Sequence, residues 1–272
     1  MAIITISRGT MSGGEKLSEM LAERLGYRCV SREVIVKAAD DYGVSESKLF
    51  DAVQKSPTLL DKLGSDRERY LAYLQASLCE YAKDDNLIYH GNAGHLLLQG
   101  VSHVLRVRLV ADMRYRIKAA MERLQISEKD AIKHIERVDK ERAAWTRFLY
   151  GLDWRSPELY DLVFNLEHAG LNFVCGMVAH AVKQPEFQAT PESSEAMQNL
   201  LLASRVRAAL AQSADIRLDE LRVEARGATV TISGRVWSQQ VLEFAVETAR
   251  KVPGVESIQN EMKIDYRSYA TE

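Results

Sequence analysis

Hydrophobic residues follow two different periods along the first two thirds of the chain. Short runs rich in β-branched and aromatic residues alternate with longer segments in which apolar residues recur every three or four positions. One helical segment runs from Gly13 to Leu25, with Leu17 and Leu21 on its apolar stripe, and Gly26 ends it. The expected strands are IITIS, YRCVS, NLIYHG, VLRVRLVA and YDLVFNLE. This alternation between residues 3 and 183 predicts an α/β fold, in which helices cover a parallel sheet.

The pattern changes after Lys183. The stretch QPEFQATPESSE is polar, contains two prolines and has no sustained periodicity, so residues 184–193 are predicted to form a linker. A helix at about 194–212, a strand pair around Gly227, a helix and a last strand then follow in the order αββαβ. We therefore predict a first domain at 1–183 and a small α+β domain at 194–268. Few contacts should cross the linker, so the two domains are expected to fold and act separately.

Composition and net charge restrict the classes of function that this protein can have. The 272 residues are 46% hydrophobic with a formal net charge of -2, so the chain can bury one large core or two smaller ones and carries no overall basic field for nucleic acid. The three cysteines lack CxxC spacing, which favours reduced thiols. No apolar run approaches the ~20 residues of a membrane span, and no targeting segment is recognisable, so a cytoplasmic location is expected.

The stretch ITISRGTMSGGEKLS is a candidate phosphate-binding loop. A strand that turns through glycines into a helix points backbone N–H groups, and the positive end of the helix dipole, at the turn. Compared with the P-loop pattern GxxxxGK[ST], Arg8 stands at the first glycine, Gly14 at the lysine and Lys16 at the hydroxyl residue. The alternative is a structural turn that uses glycine for its backbone freedom. The candidate binding residues are Gly9, Thr10, Met11, Ser12, Gly13, Gly14, Glu15 and Lys16.

Arginines are the other candidates, because phosphoryl transfer depends on cations that hold donor and acceptor in line. Arg8 could replace the charge of the missing lysine. Arg137, Arg142 and Arg147 share the helical segment that begins at Ser127, and their spacing of five residues separates neighbours by about 140°. They would converge only if this segment closed over a ligand; the alternative is a solvated basic helix face. The nearby carboxylates Asp139, Glu141 and Asp161 are interpreted as solvated or capping groups.

The same stretches resemble the cytidylate kinase-like family, which carries ISR followed by GSGG and lacks the usual P-loop lysine. The resemblance covers about residues 2–183 and is most specific at SRG…SGG and at VDKERA…YGLDW…YDLVFN. It implies a kinase that uses ATP and Mg²⁺, with CMP as a candidate acceptor and no metal held by the protein alone. It also implies that Gly14 is a family trait.

The resemblance also assigns roles. It places Arg137 and Arg142 in an arginine-bearing lid, which with Arg8 form the predicted catalytic set. The acceptor would be bound by Ser31, Arg32, Asn92 and Arg147. Family members usually have arginine after the glycine where this chain has Asn92, so acceptor binding is expected to be weaker. A solvent-exposed position is an equal alternative for Arg32.

Residues 194–267 resemble a BON domain through the glycine of the hairpin, VTISGRV and VPGV. The resemblance implies an interaction module that contacts a protein partner or a lipid surface, with self-association as a further alternative. Phe244 is expected in its core. Two functions remain open at this point: a nucleoside monophosphate kinase, or a catalytically weak or inactive nucleotide sensor that acts through the BON-like module. A purely structural assembly protein is a third alternative.

Overall fold

The fold contains two sheets that share no strand. In a computed structural model of the protein, which describes residues 1–54 and 66–265, five parallel strands form the first sheet in the order β2-β3-β1-β4-β5. They are β1 (Ile3–Arg8), β2 (Arg28–Val30), β3 (Leu87–Tyr89), β4 (Val104–Val110) and β5 (Leu162–Asn165). All five coincide with strand-like runs of the sequence. The predicted α/β fold with a parallel sheet is therefore confirmed.

Eight helices belong to the first part of the described chain. They are α1 (Gly14–Leu25), α2 (Glu33–Tyr42), α3 (Glu46–Gln54), α4 (Asp66–Ala82), α5 (Gly94–Leu97), α6 (Met113–Leu124), α7 (Glu128–Tyr150) and α8 (Leu171–Ala181). Helix α1 begins one residue later than predicted and ends at Leu25 as predicted, because Gly26, with φ of 70°, takes the left-handed conformation that ends it. Ser127 caps α7 as predicted, its hydroxyl accepting the Asp130 N–H.

Helices cover both faces of the first sheet. Ile4 and Ile6 of β1 pack with Leu17 and Leu21 of α1 on one side, where α8 also contributes. On the other side, Ile3 joins a core that includes α4 and continues into the C-terminal part of the chain. Because β1 is central and buried on both faces, its sequence is a continuous apolar run rather than an alternating one.

The C-terminal part has the predicted αββαβ order. It contains α9 (Pro191–Ala211), β6 (Leu221–Arg226), β7 (Thr229–Val236), α10 (Gln239–Arg250) and β8 (Ser257–Ile264). Strand β7 pairs antiparallel with β6 and parallel with β8, so it is the centre of a mixed sheet. The core prediction for Phe244 is wrong, since it is 45% exposed on α10, while Ala245 and Ala249 face the core instead.

The expectation that few contacts join the two parts is also wrong. Helix α9 packs along α4, and the Tyr73 hydroxyl donates to the Ala211 carbonyl over 3.1 Å. The helix begins inside the predicted 184–193 linker, because Thr190 and Ser193 cap each other's backbone and Pro191 is tolerated in a first turn. Polar composition therefore did not prevent this stretch from starting a docked helix.

Additional polar contacts fix the start and the middle of α9. His103, beside β4, bonds Ser193 at 2.7 Å through Nδ1 and Asp85 at 2.9 Å through Nε2. An ion pair joins Arg205 of α9 to Glu80 of α4. Among the helices of the described ranges, none combines the length and the apolar run that a bilayer crossing requires.

Candidate functional site

The glycine-rich loop joins β1 to α1 at the carboxyl edge of the first sheet. Met11 and Gly13 adopt positive φ angles of 61° and 74°, and the Ser12 N–H donates to the Gly9 carbonyl over 3.2 Å. The chain thereby reverses into the first turn of α1, whose leading N–H groups have no acceptor within the helix. The Ser12 hydroxyl is buried and bonds no described residue. The loop therefore has the form of an anion-binding turn.

Arg8 occupies the space above Gly14. A Cβ atom on Gly14 would overlap the Arg8 Cδ and lie 3.0 Å from Nε. Any side chain at position 14 would displace this arginine. The Arg8 side chain can therefore take this position only because residue 14 is a glycine and not the lysine of the P-loop pattern. Burial lowers the pKa of Arg8, which means that the surroundings disfavour its charge. A bound anion would offset that cost.

Arg142 of α7 is the predicted catalytic arginine that reaches the loop. Its Nη1 donates to the Arg8 carbonyl over 2.6 Å. Burial, followed by the nearby charge of Arg8, lowers the pKa of Arg142 to about 10. Arg137 instead is exposed and bonds Glu141 at 3.1 Å, and Arg147 is exposed. The five-residue spacing thus directs one of the three arginines to the loop in this conformation.

An aspartate and an arginine that the sequence analysis did not assign hold the loop from the side. Asp139 of α7 accepts the Thr10 N–H at 3.0 Å and its hydroxyl at 2.8 Å. Arg116 of α6 donates to the Thr10 carbonyl over 2.7 Å and forms an ion pair with Asp139. The interpretation of Asp139 as a solvated or capping group is therefore wrong. The only sequence signal for Arg116 is its position in the first turn of α6, the helix that follows strand β4 at the edge where the loop lies.

These contacts also restrict the loop. The Thr10 N–H already has a carboxylate acceptor, which leaves the N–H groups after Ser12 as the better phosphate donors. Lys16 is exposed and lies 3.5 Å from Glu19, while Glu15 pairs with Arg123. The loop's own lysine therefore points to solvent in this conformation.

We expect Asp139→Asn to lower stability at neutral pH by about 1.5–3 kcal/mol, the range for hydrogen bonds to charged groups. Burial alone would raise the pKa of Asp139, but bonds from Thr10 and Arg116 outweigh it and hold that pKa below its usual range. The stabilisation is therefore fully present above the unfolded pKa and is lost as pH falls through the folded pKa. The difference in Tm between parent and variant should narrow towards strongly acidic pH. Thermal unfolding by circular dichroism measures this, and a constant difference would contradict it.

Three of the four predicted acceptor residues line one cavity with Arg8, whereas Arg147 does not line it. This cavity, of about 120 Å³, is lined by Arg8, Ser31, Arg32 and Asn92 together with apolar residues that include Leu74 of α4. Arg32 is exposed and its guanidinium bonds Glu46 at 2.7 Å. Arg32 thus faces solvent, and it also borders the cavity.

Tyr89 sets the backbone before Asn92. A Cβ on Gly91 would overlap the Tyr89 ring, and the Tyr89 hydroxyl donates to the Asn92 carbonyl over 3.3 Å. The glycine of the Gly91-Asn92 pair is therefore needed for packing, while Asn92 is where the local chemistry differs from the family pattern.

A larger cavity of about 630 Å³ lies between α4, α5 and the strands β6 and β7. Its arginine at position 207 is already paired with Glu68 at 2.9 Å. It lacks the glycine-rich loop and Arg8, so the smaller cavity beside the loop is the better candidate for nucleotide chemistry. Leu97 lines both cavities.

Family models match two parts of this chain. Residues 3–168 match the model of the cytidylate kinase-like family, and residues 200–266 match that of the BON domain. A cytidylate kinase of Ignicoccus hospitalis is 32% identical over 168 residues, which cover 61% of this chain and 90% of that protein. One from Methanoregula boonei is 27% identical over 184 residues, covering 66% and 94%.

A solved structure shares the fold. The crystal structure of an uncharacterized protein from Eubacterium ventriosum superposes with a TM-score of 0.50 at 18% identity, covering 66% of this chain and 97% of that one. The family match spans the glycine-rich loop, helices α6 and α7 and the residues that line the 120 Å³ cavity, and it stops before the BON-like part. The chain described here belongs to the cytidylate kinase-like family.

Proposed function

We propose that the first part of the chain transfers the γ-phosphoryl group of ATP to a nucleoside monophosphate, with CMP as the first candidate. The observation that carries this proposal is the position of Arg8. It covers the start of α1 at the glycine-rich loop and also lines the cavity that contains Ser31 and Asn92. A single cation could therefore contact both the donor phosphates and the acceptor.

The residues divide by task in this proposal. The loop from Gly13 to Lys16 binds donor phosphates through backbone N–H groups. Arg8 and Arg142 neutralise charge on the transferred group. Ser31, Arg32 and Asn92 hold the acceptor, while Arg137 and Arg147 would take part only after lid movement.

Magnesium fits this site only together with the nucleotide. No group of three or more histidine, cysteine or acidic side chains in the described ranges could hold a metal ion. The hydroxyl residue of the P-loop pattern is Lys16 in this chain. The nucleotide phosphates and water would therefore supply most ligands of Mg²⁺, which would add positive charge at the transferred group. Arg8 and Arg142 remain the cations that the protein itself provides.

The second candidate is a nucleotide sensor without turnover. Asn92 lacks the charge that the family has at that position, which favours weak acceptor binding. The packing of α9 on α4 favours a sensor as well, because α4 contributes Leu74 to the acceptor cavity and could transmit occupancy to the BON-like part.

In either function, the BON-like part is proposed to contact a protein, a lipid surface or a second copy of the chain. The boundaries 1–183 and 194–268 stay a proposal.

We expect the full chain with ATP and Mg²⁺ to convert at least one nucleoside monophosphate to its diphosphate. A panel of CMP, UMP, AMP, GMP and dCMP, analysed by chromatography of the products, tests this. The Arg8→Met variant serves as the negative control against contaminating kinases. Nucleotide binding by calorimetry without any diphosphate product would favour the sensor, and the absence of both would exclude both functions.

A further inference from the structure

Trp154 is a buried tryptophan whose indole N–H has no acceptor among the described residues. Trp154 is only 3% exposed, and its Nε1 forms no hydrogen bond with any residue that the structure describes. Trp145, 1% exposed and nine positions earlier, instead donates its N–H to the Ala52 carbonyl. A buried donor without a partner is uncommon, and beside a cavity it points to a water molecule or a ligand.

Trp154 lines a small cavity next to the glycine-rich loop. The cavity has about 10 Å³, room for about one water-sized atom, and Arg8, Asn92 and Arg142 also line it. Arg8 and Asn92 are shared with the 120 Å³ acceptor cavity, so the two cavities adjoin. An oxygen of a group bound in the larger cavity could therefore enter the smaller one.

The surroundings fix the indole in place and make the cavity suitable for an anion. The guanidinium carbons of Arg108 and Arg142 lie over the Trp154 ring, 4.3 and 5.1 Å from its centroid. Arg108 and the Tyr160 hydroxyl both donate to the Trp154 carbonyl over 2.7 Å. These contacts orient the ring and its backbone but leave Nε1 unused. With Arg8 and Arg142 at the same cavity, an acceptor of hydrogen bonds that carries negative charge fits best.

We propose that the indole N–H of Trp154 donates a hydrogen bond to a phosphate oxygen of the bound phosphomonoester acceptor, between Arg8 and Arg142. This inference rests on the proposed function, since it assigns the acceptor to the cavity beside the loop. Indole is a donor that cannot accept, so it recognises an oxygen anion without a change in its own protonation. The contact adds direction to the charge supplied by the two arginines.

The first test uses the full chain labelled with ¹⁵N at the tryptophan indoles. Its three indole signals, from Trp145, Trp154 and Trp237, are assigned with Trp→Phe variants. Titration with CMP, and separately with inorganic phosphate, should move the Trp154 proton signal downfield and leave the Trp237 signal in place. Cytidine without phosphate should leave the Trp154 signal in place, which separates a phosphate contact from stacking of the base. The variants serve only to assign the signals, and the titrations themselves use the unsubstituted chain.

The second test is Trp154→Phe, which keeps an aromatic ring under the two guanidiniums and removes the N–H. We expect CMP affinity, measured by calorimetry, to fall about 10- to 150-fold, the range for one hydrogen bond to a charged group, and ATP affinity to stay within about twofold. Trp237→Phe is the matched control and should leave both affinities unchanged.

Two results would overturn the inference while the proposed function stands: CMP binds without moving the Trp154 signal, or Trp154→Phe binds CMP as tightly as the parent. If neither CMP nor inorganic phosphate binds at all, the inference and the acceptor assignment of the proposed function both fail.

Discussion

Replacing Arg8 with methionine should lower turnover by about 100-fold or more, the usual loss when one charge-stabilising donor is removed from an active site. Nucleotide affinity should fall by about 1.5–3 kcal/mol, since the charge-assisted bonds to phosphate disappear. Methionine is chosen because its side chain can still cover Gly14 without carrying charge. Steady-state kinetics and calorimetry of the full chain measure the two effects. Arg24→Met, an exposed arginine in the last turn of α1, is the matched control and should change neither.

A double-mutant cycle between Arg8 and Gly14 tests the same arrangement. In the parent, Gly14→Ala should weaken nucleotide binding because the new Cβ overlaps the Arg8 Cδ and forces the guanidinium away. In the Arg8→Ala background the same change should cost little, since the space is then open. Gly14→Lys is expected to displace Arg8 rather than add to its charge. Fully additive losses for the two alanine changes would contradict the proposed role of Arg8 as the substitute for the P-loop lysine.

Removing the chain after Lys183 should destabilise the kinase-like part and weaken acceptor binding. The composition of residues 184–193 alone predicts the opposite, a harmless cut. In the structure, however, the truncation would expose the face of α4 that α9 covers, together with the partners of Tyr73, Glu80 and His103. A loss of about 3 kcal/mol, which corresponds to a Tm lower by about 6–12 °C for a domain of this size, is expected. CMP affinity should fall more than ATP affinity, because Leu74 of α4 lines the acceptor cavity.

A milder variant separates loss of docking from gross unfolding. Arg205→Ala removes the ion pair between α9 and Glu80 of α4 and leaves Lys83, 3.5 Å away, as the cation beside Glu80. The variant should cost about 1–2 kcal/mol, since the pair is partly buried. Arg217→Ala, which removes an exposed pair with Asp219, should stay within about 0.5 kcal/mol. Urea unfolding gives both values. A truncated chain with unchanged Tm and unchanged CMP affinity would establish that the two parts act separately after all.

The order of strands and helices could be read from the sequence because it depends on local patterns. β-Branched runs, helical stripes and glycines such as Gly26 specify elements through contacts between near neighbours. The family resemblance was confirmed for the same reason, since its most specific motifs are continuous stretches. The prediction for Phe244 failed because periodicity marks a stripe without fixing which of its edges is buried.

The candidate site could be predicted only in part. Arg8, Ser31, Arg32 and Asn92 were selected from separate segments, and the structure brings them to one cavity. The bonds of Asp139 to Thr10, 129 positions away, leave no trace in spacing or composition. The same holds for the indole N–H of Trp154, which has no acceptor in the ranges that the structure describes, because the burial of a donor depends on the assembled core.

The sequence by itself determined the fold class, the glycine-rich turn and the presence of Gly14 where the P-loop pattern has a lysine. The tertiary structure alone decided that Arg8 occupies the vacated space, that Arg142 rather than Arg137 reaches the loop, and that α9 docks on α4. The physical reason is the separation along the chain of the residues that interact. Hydrogen-bonded turns and amphipathic stripes act over a few residues, whereas the direction of a long cationic side chain and the pairing of two helix faces depend on atoms far apart in the chain.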